Sequence, residues 1–197
     1  KLTIRGTDGK YLKKKLKTVE RKTGRILGNI IFGHDEETLE MVVGNLLRKA
    51  GATLAVAESC TGGLITHRIT NVPGSSEYLE RTLIVYGNRA KKELMEMPAS
   101  LLAKHGAVSK EAADHMARAV RRLSKSTIGL AVTGIAGPGG GTPKKPVGTV
   151  FIALAHKRRV TTHRHQFHGD REQIKHITSQ YALDYLRRLL MAGDFAG

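Results

Sequence analysis

Past residue 35, the apolar positions of this 197-residue chain switch repeatedly between a helical and a strand-like period. Leu39, Val42, Val43, Leu46 and Leu47 form one helical stripe that ends at Gly51, with Asp35 as the expected N-cap and Glu36 and Glu37 in the first turn. A buried strand is expected at 53–57 and a helix from about 62 to 70. A β-branched run at 82–86 reads as a second strand. Ser109 can cap a helix that turns Ala112, Met116, Ala119, Val120 and Leu123 inward. Strands follow at 128–132, 147–155 and 160–167. A capping box, Asp170 with Gln173, then opens a last long helix expected to bury Ile174, Ile177, Tyr181, Tyr185 and Leu189. Strands alternating with helices, closed by two adjacent strands, predict an α/β fold: a three-layer sandwich around a mixed sheet. Ahead of it, Lys1–Arg5, a helix from Tyr11 to about Thr23, and Ile26–Phe32 read as a small β-α-β linker segment. The expected units are therefore 1–33 and 34–197.

Two glycine-rich turns follow apolar strands. The first is Ala57-Glu58-Ser59-Cys60-Thr61-Gly62-Gly63, and the second runs from Thr133-Gly134 to Gly141-Thr142. Glycines admit a ligand close to the backbone, and a helix start favours an anion such as phosphate. Two such turns in one α/β domain suggest a site between them. A serine nucleophile needs a base, and Ser59, Ser75 and Ser76 are available with Tyr86 and Lys91 following. A desolvated lysine can serve as that base. Other clusters carry less. The second turn lacks the G-K-[ST] of a P-loop. His163, His165 and His168 have no zinc-site partners and read as alternating exposed positions. Cys60 reads as a small core residue, and Glu58 as a capping or paired carboxylate.

The stretches A-E-S-C-T-G-G (57–63), P-G-S-S to V-Y-G-N-R-A-K (73–91), H-G-A-V-S (105–109), T-G-I-A-G-P-G-G-G-T-P-K-K-P-V-G-T-V (133–150) and G-D-R (169–171) occur in order. As a set they resemble the C-terminal domain of the CinA (competence/damage-inducible protein A) family, which includes nicotinamide mononucleotide deamidases. The resemblance implies a hydrolase that converts nicotinamide mononucleotide to nicotinate mononucleotide and ammonia, without metal or cofactor. It implies Ser76 as nucleophile, Lys91 as base and Tyr86 orienting them, with an exchange of roles between Ser59 and Ser76 left open. Ser59, Thr61 and Thr133, with the backbone of Gly62, Gly63 and Gly134, would hold phosphate or the carboxamide oxygen, and Arg171 would add a charge-assisted bond. The alternative is a non-catalytic nucleotide-binding or interaction module of a larger CinA-like protein. Two departures from the family pattern, Gly139 for an acidic residue and Arg89 for Glu, make the surroundings more positive.

Charge and composition refine this picture. The chain carries +16, and residues 1–33 hold ten Lys/Arg against Asp8 and Glu20, a balance of +8. Only Tyr11 interrupts that run, so no base-stacking platform is evident. A solvated helix face is the expectation, and nucleic acid is not expected as a partner. Residues 1–33 resemble the end of a KH-like linking module. Gly6-Thr7-Asp8-Gly9 has G-x-x-G spacing, but acidic Asp8 suits an ordinary turn better than a phosphate grip. One cysteine and no membrane-length apolar run point to a cytoplasmic protein that acts on a small-molecule nucleotide. The resemblance also allows a homodimer.

Overall fold

The computed structural model describes residues 3–195 and divides the chain into two compact units, Lys1–Asp35 and Glu36–Gly197. In the first, Asp8 accepts hydrogen bonds from the N–H groups of Lys10 and Tyr11 and so caps helix α1, Gly9–Leu27. That role accounts for an acidic residue inside the G-x-x-G spacing. A 3-10 turn follows at Gly28–Ile30. The β-α-β expectation is corrected here: the described residues 3–35 contain no strand, and Lys1 and Leu2 lie outside the described residues.

The second unit carries a five-stranded sheet. Its elements are α2 (Leu39–Ala50), β1 (Leu54–Glu58), α3 (Leu64–Thr70), β2 (Leu79–Ile84), α4 (Asn88–Met95), α5 (Ala99–His105), α6 (Lys110–Ser124), β3 (Ile128–Gly134), β4 (Thr149–His156), β5 (Arg159–Gln166) and α7 (Arg171–Ala192). Strand order is β2-β1-β3-β4-β5, with β1 parallel to β2 and β3, and β4 antiparallel to both neighbours. The sheet is therefore mixed, with α2, α3 and α7 on one face and α4, α5 and α6 on the other.

An alternation of large and small residues explains the two faces. Leu54, Val56, Leu130, Val132, Ile152 and Leu154 point to the layer of α2, α3 and α7. Ala55, Ala57, Ala131, Ala153 and Ala155 point to the other layer. That alanine floor lets α6 lie close, with its own Ala112, Ala113, Met116, Ala117 and Val120 against the sheet. Gly129 belongs to the same contact, because a Cβ there would collide with the Ala117 carbonyl. The packed centre is dense, so adding even one methyl to this floor strains it.

Four local expectations shift. Thr38, not Asp35, caps α2, its hydroxyl accepting from the Met41 N–H, while Asp35 takes a left-handed conformation outside the helix. β2 begins earlier, at Leu79, so Val85 and Tyr86 lie beyond its end. The buried stripe of α7 runs through Ile174, Thr178, Ala182, Leu183, Leu186 and Leu190. Tyr181, Tyr185 and the neighbouring Ile177 and Leu189 flank this stripe and are only partly covered or exposed. The tyrosines instead cover β5: Tyr185 stacks on His163 with ring centres 3.9 Å apart, and its hydroxyl lies 3.0 Å from His165 Nε2. His163 and His165 are thus half-buried rather than exposed, and burial pushes both imidazoles below their ordinary value.

Candidate functional site

The carboxyl ends of β1, β2 and β3 meet at one edge of the sheet, where α/β proteins usually place ligands. Ser59 leaves β1 there, its N–H donating to Val132 O at 3.1 Å. Past the end of β2 the chain turns through Val85-Tyr86-Gly87 into α4, and its first turn carries Lys91. Lys91 is 1% exposed, and its Nζ donates to Ser59 Oγ at 3.0 Å, Val85 O at 2.7 Å and Tyr86 O at 2.9 Å. None of these partners is a carboxylate. Burial accordingly holds the ammonium below its ordinary pKa, and the smaller opposing pull of the Cys60 thiol does not offset it.

Those three partners suit both protonation states. The ammonium donates three hydrogen bonds. The neutral amine can keep two for the carbonyls and accept the Ser59 hydroxyl proton with its lone pair. Lys91 can therefore exchange a proton with Ser59 without losing a contact.

A cavity of about 180 Å³ opens beside the pair, lined by Ser59, Cys60, Tyr86, Asn88, Lys91, Ala107, Val108, Thr133, Gly134, Ala136 and Arg171. Among the described residues it is lined by one permanent cation, Arg171, by the titratable Lys91 and by no carboxylate, so it favours a negative or electron-rich group. Thr133 Oγ1 donates to Ala107 O at 2.8 Å, which ties the exit of β3 to the loop before α6. In that loop Gly106 turns the chain at a left-handed φ of 75°, and Ser109 caps α6 through the Ala112 N–H. Arg171 spans the mouth, donating to Gly137 O at 2.6 Å and Tyr86 Oη at 2.5 Å. Gly134 is close-packed: a Cβ there would lie 2.7 Å from Val150 Cγ2 and 3.1 Å from Cys60 Sγ. The backbone N–H of Ala136 has no hydrogen-bond partner among the described residues.

The structure thus brings together Ser59, Lys91, Tyr86, Thr133, Gly134 and Arg171. It does not bring Ser76 to them. Ser76 sits exposed on a 3-10 turn, Ser75–Glu77, before the amino end of β2. The N–H of Leu54, at the far end of β1 from Ser59, pairs with Tyr78 O. A strand the length of β2 separates it from Lys91, about 20 Å at ~3.3 Å per residue. The serine placed against Lys91 is Ser59, and Ser76 lies at the other end of the sheet. Tyr86 serves Lys91 through its carbonyl, while its phenol meets Arg171.

Thr61, Gly62 and Gly63 also stand apart from the cavity. Buried Glu58 gathers five donors at 2.6–3.1 Å: the Thr61 and Thr66 hydroxyls and the N–H groups of Gly63, Ile65 and Thr66. The start of α3, expected to hold a phosphate, is already occupied by this carboxylate. Cys60 lines the cavity floor, but burial pushes its thiol up to about 12, so it is not a thiolate at neutral pH. Asn88 was missed from the sequence. It lies in the quoted V-Y-G-N-R-A-K run, three residues before Lys91, a spacing that puts both on one helix face. Among the described residues no group of three or more His, Cys, Asp or Glu is placed to hold a metal, and no helix is long and apolar enough to cross a membrane.

Residues 36–190 match the family described as the CinA C-terminal domain. A CinA-like protein of Geotalea daltonii is 54% identical over 171 residues, covering 87% of this chain and 41% of that protein. A putative competence-damage inducible protein of Caldicellulosiruptor bescii is 44% identical over 191 residues, covering 97% of this chain and 46% of its own length. The chain thus spans less than half the length of these relatives. Among solved structures, the competence/damage inducible protein CihA of Agrobacterium tumefaciens superposes with a TM-score of 0.75 at 36% identity, covering 81% of this chain and 98% of that one.

Proposed function

This chain belongs to the CinA C-terminal domain family, and from that premise we propose that it is an amidase acting on nicotinamide mononucleotide. The observation that carries this reading is the buried Ser59–Lys91 pair at the cavity. Neutral Lys91 takes the Ser59 proton as Oγ attacks the carboxamide carbon, forming a C–O bond and a tetrahedral oxyanion. Ala136, whose backbone N–H has no partner among the described residues, and Asn88 both line this cavity and are candidate donors to that oxygen. Lys91 then protonates the departing nitrogen, the C–N bond breaks, and ammonia leaves. Water, deprotonated by Lys91, hydrolyses the acyl-serine to nicotinate mononucleotide and restores Ser59.

At about 180 Å³ the cavity is smaller than the ~300 Å³ at which pockets for drug-sized ligands begin. It therefore takes the reacting end, and the nucleotide phosphate lies at the mouth, where Arg171 supplies a charge-assisted bond. No metal or cofactor enters these steps, and the setting proposed is cytoplasmic pyridine-nucleotide recycling. The test is ammonia release from nicotinamide mononucleotide by the intact chain. Saturable turnover abolished by Ser59→Ala supports the amidase. Tight substrate binding without turnover would instead make the domain a nucleotide-binding module.

A further inference from the structure

A larger cavity lies at the opposite edge of the sheet, where α6 ends, β3 begins and the β4–β5 hairpin turns. It measures about 630 Å³ and is lined by six permanent cations: Arg118, Arg121, Arg122, Lys125, Lys157 and Arg159. Among the described residues no carboxylate lines it. From outside, Glu96 pairs with Arg122 at 2.5 Å, and Asp194 is shared by Lys157 and Arg159 at 3.3 and 3.5 Å. Two acids against six bases leave a balance of +4 in one concave space. Such focusing attracts anions and destabilises the empty state through self-repulsion.

The α6 dipole accounts for part of this charge, because cations suit the last turn of a helix. It does not account for Lys157 and Arg159, which arrive on a separate hairpin. Nor does it account for the backbone. Lys125 has φ 53° at the position after α6, and Lys157 has φ 48° in the two-residue turn between β4 and β5. Both positions favour glycine or asparagine, since a side chain in the left-handed region meets its own carbonyl. The chain carries lysine at both, with each side chain lining the cavity. Arg121 holds the walls together, donating to Thr127 O at 2.9 Å and Lys157 O at 2.6 Å.

We propose that this cavity binds the polyphosphate group of a small molecule. Its volume falls within the ~300–1,000 Å³ of small-ligand sites, and a concave wall encloses a compact polyanion better than it follows an extended one. Its charge favours two or more adjacent phosphates, because a single phosphate, at about −1.5 to −2, neutralises at most half of the +4 balance. The source is a nucleoside di- or triphosphate or an inorganic oligophosphate, and the probes separate these.

Affinities of the intact chain for ATP, tripolyphosphate and AMP, measured by calorimetry at about 0.15 M salt, test the site. ATP and tripolyphosphate should bind saturably, and AMP at least about tenfold more weakly. A preference for ATP over tripolyphosphate identifies a nucleotide as the source, and equal affinity identifies the phosphate chain alone. The double variant Lys125→Gly/Lys157→Gly suits the left-handed backbone, so its thermal midpoint should not fall. Its tripolyphosphate affinity should drop at least about tenfold, with ammonia release unchanged. Replacing Lys13, Lys14 and Lys17 of α1 with Ala should leave that affinity unaltered. The proposal is overturned if the glycine variant binds tripolyphosphate as the parent does, or if no probe binds saturably. It is equally overturned if duplex DNA binds more tightly than tripolyphosphate and loses affinity in the same variant, which would mark a nucleic-acid surface.

Discussion

The first glycine-rich turn, 59–63, is closed upon itself, whereas the second, 134–141, is left open. In the first, Glu58 draws the donors of Thr61, Gly63, Ile65 and Thr66 inward, and the turn becomes the rigid socket that presents Ser59. In the second, residues 138–141 are exposed, the Ala136 N–H has no partner among the described residues, and the Gly137 carbonyl is reached by Arg171. Glycine content by itself therefore says little about ligand binding. What decides it is whether a neighbouring side chain already satisfies the backbone.

The sharpest way to break this comparison is to exchange the two candidate serines. Ser59→Ala and Lys91→Ala should each lower ammonia release by at least about a thousandfold, roughly 4 kcal/mol in the barrier. Ser76→Ala should retain more than half of the parent rate, since Ser76 faces solvent at the other end of the sheet. Loss of turnover in Ser76→Ala with normal turnover in Ser59→Ala would reverse the assignment.

That pair also shows what the sequence could and could not reveal. Apolar runs mark β1, β3 and β4 as strands, and Asp170 with Gln173 announces the start of α7, because both signals are local. The partner of Lys91 is not local. Ser76 lies nearer to it in sequence, but β2 intervenes and carries the chain across the sheet. Ser59 lies 32 residues away and meets it because β1 and β2 are parallel neighbours whose carboxyl ends share an edge. Register and strand order are set by packing, and no spacing rule in a single chain reports them. The tyrosines of α7 were misplaced for a related reason: β5 is an edge strand, and covering it turns Tyr181 and Tyr185 off the central stripe.

The socket itself should be sensitive. Glu58→Ala leaves several buried donors without an acceptor, each costing about 1–3 kcal/mol where water cannot reach it. A net loss of about 3 kcal/mol is expected, lowering the thermal midpoint by roughly 6–12 °C at 2–4 °C per kcal/mol. A shift below about 2 °C would show that Glu58 does not organise the turn.

A pH profile tests the base. Burial holds Lys91 below its ordinary 10.5, so the folded protein sheds this proton at a pH where the unfolded chain keeps it. Within that window the unfolded state binds more protons, and the contribution of Lys91 to stability rises with pH. Ammonia release should climb about tenfold per pH unit and level off below 10.5, about 1.4 kcal/mol per unit. Lys91→Arg, which stays charged, should remove activity across the range. An unchanged profile in that variant would assign the base elsewhere.

The smallest effect separates the turns by their glycines. Gly63 has φ 99°, and a Cβ there would lie 3.0 Å from Ile84 Cδ1. Gly63→Ala should therefore cost about 1–2 kcal/mol from left-handed strain. It should also slow turnover, because Gly63 lies in the socket that presents Ser59. Gly139 has an ordinary φ, and a Cβ there meets nothing within 4 Å. Gly139→Ala should stay within about 0.5 kcal/mol of the parent, as surface substitutions usually do. The removal of backbone freedom from the unfolded chain offsets any small loss. Denaturant midpoints at equal slope measure both variants. Equal destabilisation would mean that the second turn is as closed as the first, and the contrast between an occupied socket and an open mouth would fail.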